Sequence, residues 1–79
     1  MKQTTYNVLS DRLDCSRQKY GKLKSHWEGI GVIDGELYEL KMAMHGRDLM
    51  RIYEEAADVA NGCVRLMEYL EEAMQDVDD

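Results

Sequence analysis

Residues 49–77, LMRIYEEAADVANGCVRLMEYLEEAMQDV, decide the fold. Leu49, Ile52, Ala56, Val59, Cys63, Leu66, Leu70, Ala73 and Val77 recur at alternating steps of three and four, the spacing of one helix face. Tyr38, Met42 and His45 extend the same series upstream. A second stripe, Met50, Tyr53, Ala57, Ala60, Val64, Met67 and Met74, runs beside it. Two adjacent stripes make an apolar face broader than a two-stranded seam requires. The pattern predicts a long helix over 47–75 and a shorter one over 36–45. Gly46 ends or bends the first of these in sequence, and Asp48 is placed to cap the second.

Working outward, Tyr6, Leu9, Leu13, Ser16, Tyr20, Leu23 and Trp27 repeat the three-four alternation and predict a helix over 5–27. Thr4 or Thr5 would cap it, and Gly21 weakens its middle by about 1 kcal/mol relative to Ala. Between the two patterns lies EGIGVIDG, residues 28–35, whose three glycines predict a turn with Asp34 as the next N-cap. A short β-hairpin around Asp34-Gly35 is the competing expectation. At ~1.5 Å per residue the long helix measures about 43 Å and the first about 34 Å, so the two can pack antiparallel. The first cannot cover both apolar stripes alone. Unless 36–45 folds back, surface remains for a second copy. The small residues Ala56, Ala57, Ala60, Gly62 and Cys63 suit either core packing against Tyr6, Tyr20 or Trp27, or a close helix crossing between two chains.

The expected fold is therefore all-α, one domain over 1–79. It is a helical hairpin or three-helix bundle with a glycine-rich turn at 28–35. A homodimer is expected, with Met50, Tyr53, Ala56, Ala57, Ala60, Cys63, Val64 and Met67 at its interface. A chain of 79 residues sits where a core is marginal and a second subunit commonly supports it.

The net charge of −6 is unevenly distributed. Residues 1–27 carry six basic and two acidic side chains, whereas residues 28–79 carry four basic and 14 acidic ones. Glu54, Glu55, Asp58, Glu68, Glu71, Glu72 and Asp76 form a candidate acidic partner-binding face on the long helix. Such a face would dock on a basic macromolecular surface and steer association. The alternative is a solvated face that also balances Lys19, Lys22 and Lys24 of the first helix. The basic run Arg17, Lys19, Lys22 and Lys24, interleaved with Tyr20 and Trp27, is the best nucleic-acid candidate. Tyr20 and Trp27 belong to the core stripe, so compensation of charge is the preferred explanation and direct nucleic-acid binding is not expected.

No pattern of catalytic residues stands out. The Gly29–Gly35 segment is one residue too long for G-x-G-x-x-G and lacks the preceding strand. His26, His45, Cys15 and Cys63 are the soft metal ligands, and no two stand at i,i+3 or i,i+4. Cys63, on the apolar stripe, reads as a buried small hydrophobe. No catalytic residue, metal or cofactor is expected. The N-terminus lacks an apolar signal region and no stretch reaches membrane-spanning length, so a cytoplasmic location with free thiols is expected.

Trp27-Glu28-Gly29, between two predicted helices, resembles the W-x-G turn of the helical-hairpin substrates of type VII secretion. The C-terminal aromatic-x-x-x-acid signal is missing, since Ala57 and Ala73 follow Tyr53 and Tyr69 four residues on. In size, charge and lack of catalytic motifs the chain is also similar to phage-encoded inhibitors of host or defence complexes, anti-CRISPR proteins among them. The leading expectation is a small acidic binding protein, not an enzyme, that occupies a basic surface on a protein or ribonucleoprotein. A nucleic-acid-binding regulator using the first helix and a W-x-G secretion substrate are the alternatives.

Overall fold

The computed structural model describes the backbone of residues 1–78 and the side chains of residues 1–75. Three helices and no strand occur among them: α1 (Gln3–Tyr20), α2 (His26–Gly46) and α3 (Leu49–Asp78). The hairpin expected around Asp34-Gly35 is thus replaced by helix.

Helix α1 stops seven residues earlier than its apolar periodicity implies. Gly21 takes φ +70°, and its N–H closes the last turn on the Arg17 carbonyl at 2.8 Å. A glycine enters this region without the steric cost other residues meet. Four residues later Ser25 caps α2, accepting from the Glu28 N–H at 3.1 Å, while a Glu28 carboxylate oxygen accepts from the Lys24 N–H at 3.3 Å. Ser25-His26-Trp27-Glu28 has the sequence of a capping box, with Glu28 reaching the N–H one residue before the cap, and it sets the helix start ahead of the glycines.

Residues 28–35 are therefore not a turn but the first half of α2, and Asp34 caps nothing. Packing explains why a glycine-rich stretch stays helical. Gly29 is buried, and a Cβ there would stand 2.8 Å from Leu66 Cδ1 and 3.3 Å from Leu23 Cδ1. Gly62 of α3 likewise lies against Ile33 and Val32. Two glycines, one from each helix, let α2 and α3 approach closely. The dispersion attraction of that close packing offsets a helix-propensity cost of about 1 kcal/mol per glycine.

Helix α2 ends at Gly46, and Arg47 reverses the chain in the left-handed region, φ 59°. Asp48 then caps α3, as its position suggests, accepting from the Met50 N–H at 3.1 Å and the Arg51 N–H at 3.3 Å. Two reversals make α1 run parallel to α3: Thr5 meets Tyr53, Arg12 meets Asp58, and Lys22 meets Glu72. The antiparallel packing expected of those two helices belongs instead to α2, where Gly29 meets Leu66 and Gly62 meets Ile33. Both α1 and α2 pack on α3 and not on each other. The extents of 48 × 27 × 21 Å match the length of α3 flanked by two shorter helices.

Candidate interaction surfaces

The side of α3 that lies between its two neighbours is polar. Asn61 and Arg65 are buried there. Asn61 Nδ2 donates to the Leu9 carbonyl at 3.0 Å. Arg65 donates to Ser16 Oγ at 3.1 Å and to the Gly21 carbonyl at 3.0 Å, with Tyr20 stacked 5.9 Å from its guanidinium. These bonds satisfy buried groups that would be costly unpaired. They also fasten the end of α1 to α3.

Ion pairs extend the same seam. Arg12 forks onto both oxygens of Asp58 at 2.7 Å and reaches Glu54 at 2.9 Å. Its guanidinium is driven further from deprotonation, first by the hydrogen bond to Asp58 and then by the charges of Asp58, Glu54 and Glu55, against the opposing effect of burial. Arg17 pairs with Glu68, and Lys22 with Glu72 at 3.0 Å. Three carboxylates of the acidic face, Glu54, Asp58 and Glu68, thus bind α1, and a fourth, Glu72, binds the connection after it. The cations they meet are Arg12, Arg17 and Lys22 rather than the expected Lys19, Lys22 and Lys24. Of the other three, Glu71 is exposed, Glu55 turns toward α2, and the Asp76 side chain lies outside the described residues.

Glu36, Glu55 and Asp58 converge, with carboxylate oxygens within 4.8 Å of one another. Because it joins two helices, this cluster left no short-range pattern in the sequence. Arg12 supplies its counter-charge and occupies both oxygens of Asp58. Glu36 is half-buried and holds its proton to higher pH than an ordinary glutamate. Burial is the main cause, followed by the charges of Asp58, Glu55 and Glu39.

The apolar residues are the reverse of this picture. Among the described residues, Leu23, Ala43 and Ala57 are the buried hydrophobic side chains. Of the residues expected at the dimer interface, Ala57 is buried against the chain's own helices and Val64 is half-buried. Met50, Tyr53, Ala56, Ala60, Cys63 and Met67 are exposed. Cys63 is therefore not a buried hydrophobe, because the side of α3 that carries it faces neither α1 nor α2; Cys15 is exposed as well.

A second apolar patch lies on the outer side of α2. Trp27 is 74% exposed and Tyr38 61% exposed, and eleven residues of helix bring them to the same face. Gly31 and Asp34 lie between them, and nothing stands within 4 Å of a Cβ built at Gly31. Trp27-Glu28-Gly29 sits in the first turn of α2, not in a turn between helices, so the geometry of the W-x-G hairpin is not reproduced. No helix among the described residues is long and apolar enough to cross a membrane. No protein family matches the chain, and neither a curated protein nor a solved structure is significantly similar to it.

Proposed function

We propose that this protein is a non-catalytic binding protein that works as a homodimer and docks on a basic surface of another macromolecule. The observation behind it is the imbalance, among the described residues, between three fully buried apolar side chains and the long run of exposed ones, including Trp27, Tyr38, Leu49, Met50, Met67 and Met74. Exposed apolar surface on this scale is characteristic of an interface. The second copy uses α3. The partner uses the outer face of α2, where Trp27 and Tyr38 are the rigid aromatic anchors that dominate binding energy in protein interfaces. Gly31 leaves room between them for a close approach, and Asp34 offers a carboxylate to a Lys or Arg.

The net charge of −6 supplies the steering toward a basic partner. Nucleic acid fits less well, because Arg12, Arg17 and Lys22 already face carboxylates of α3. The sharper form of the same proposal is an inhibitor that blocks a basic site of a host or defence complex. Size, charge and the lack of a catalytic motif are its support.

The experiment is affinity capture from the native host lysate with the wild type and with Trp27→Ala/Tyr38→Ala. A macromolecule retained by the wild type, released by salt and lost with the exposed double variant is the expected result. Equal retention by both proteins would remove α2 as the docking face. Salt-sensitive retention of bulk DNA or RNA alone would favour the nucleic-acid regulator.

A further inference from the structure

Helix α3 carries an unbroken heptad stripe on the side turned away from α1 and α2, with Tyr53 at its edge reaching Thr5 of α1 through its hydroxyl. Leu49, Tyr53, Ala56, Ala60, Cys63, Met67, Leu70 and Met74 follow steps of four and three over its length, and all eight are exposed. At 100° per residue, α1 and α2 take two sides of α3 and this stripe takes the third. The arrangement is inside-out for a coiled-coil helix. Arg51, Asp58, Arg65 and Glu72, at the heptad position farthest from a seam, lie on the side toward α1 and α2, while the seam positions face solvent.

We infer that a second copy of this chain covers the stripe, with the two α3 helices antiparallel and crossing between Asn61 and Gly62. This deepens the proposed homodimer by giving it polarity and register. Side-chain size selects the pairing. Antiparallel, Leu49 meets Met74 of the second copy, Tyr53 meets Leu70, Ala56 meets Met67, and Ala60 meets Cys63. Each layer then joins one position from each half of the heptad, as antiparallel seams require, and the small residues fall at the crossing, where the helix axes approach most closely.

Charge selects the same polarity. Glu68, Glu71 and Glu72 crowd one end of α3, whereas at the other Arg47 and Arg51 partly balance Asp48, Glu54 and Glu55. Asp48 offsets the positive end of the α3 dipole, but no basic residue stands in the last turn to offset the negative end. An antiparallel copy keeps the two acidic ends apart, whereas a parallel copy would set them side by side. The area is also sufficient. Covering the stripe and Met50 beside it removes on the order of 700 Å² per chain, against roughly 800 Å² per partner in a stable specific interface.

Two variants in a Cys15→Ser/Cys63→Ser background test this, one carrying Ala56→Cys and the other Met67→Cys. Light scattering should give each twice the 9.2 kDa chain mass. A short bis-maleimide should link the two variants when mixed and leave each alone unlinked, since like thiols would sit about 16 Å apart along the axis. Linking within each variant alone would overturn the antiparallel pairing. A doubled mass with no linking in any sample would place the second copy elsewhere and keep the homodimer. A 9.2 kDa particle for the helical wild type would overturn both. The capture experiment on α2 is independent of all three outcomes.

Discussion

Gly31 and Gly35 stand in the first half of α2 with nothing within 4 Å of where a Cβ would be, whereas Gly29 is pressed against Leu66. The same residue type therefore has two different consequences in one helix. Gly31→Ala and Gly35→Ala should each raise stability by about 0.5–1 kcal/mol, because alanine loses less backbone freedom on folding. Gly29→Ala should gain less or lose stability, since Leu66 has to turn away. Urea unfolding of the three variants checks the order. Glu36 offers a second test. Its folded-state proton affinity is raised, so its contribution to stability is full below the ordinary glutamate range and is lost as pH rises through the folded value. Glu36→Gln should therefore be more stable than the wild type at pH 7, with the advantage fading on acidification. An advantage independent of pH would show that its charge is not penalised.

The junction between α2 and α3 was legible in the sequence, whereas the end of α1 and the start of α2 were not. Asp48 was identifiable as a cap because it follows Gly46 and precedes an apolar repeat, and both hydrogen bonds expected of it are present. Asp48→Ala should cost about 0.5–2 kcal/mol. Arg47→Gly should return up to about 1 kcal/mol by relieving the left-handed backbone at φ 59°. Thermal melts of the pair check the opposite signs. The capping box at Ser25–Glu28 was equally present in the sequence, but the three glycines behind it read as a turn. Their local propensity is overruled by a tertiary contact, Gly29 on Leu66, that no local pattern contains. The periodicity that ran from Tyr6 to Trp27 had a similar weakness. It continued through Gly21 by coincidence of spacing, and Leu23 is buried from the connection after α1 rather than from the helix itself.

At the scale of the molecule, the breadth of the α3 apolar surface was visible as two stripes, but its division among neighbours was not. The outward heptad takes Leu49, Ala56, Cys63 and Leu70 from one stripe and Tyr53, Ala60, Met67 and Met74 from the other. Which residues face inward depends on where Arg12, Asn61 and Arg65 place α1, and those partners are 44 to 52 residues apart. So thin a core has a thermodynamic consequence. If covering the α3 stripe contributes a large share of the apolar burial, folding and association are linked, and stability depends on protein concentration. The midpoint of thermal unfolding should rise measurably between micromolar and hundred-micromolar protein, while Ala60→Glu should lower it and flatten the dependence. Circular dichroism melts across that range decide the point. A midpoint independent of concentration, in a fully helical wild type, would mean that α1 and α2 alone stabilise α3 and that the outward stripe adds nothing to folding.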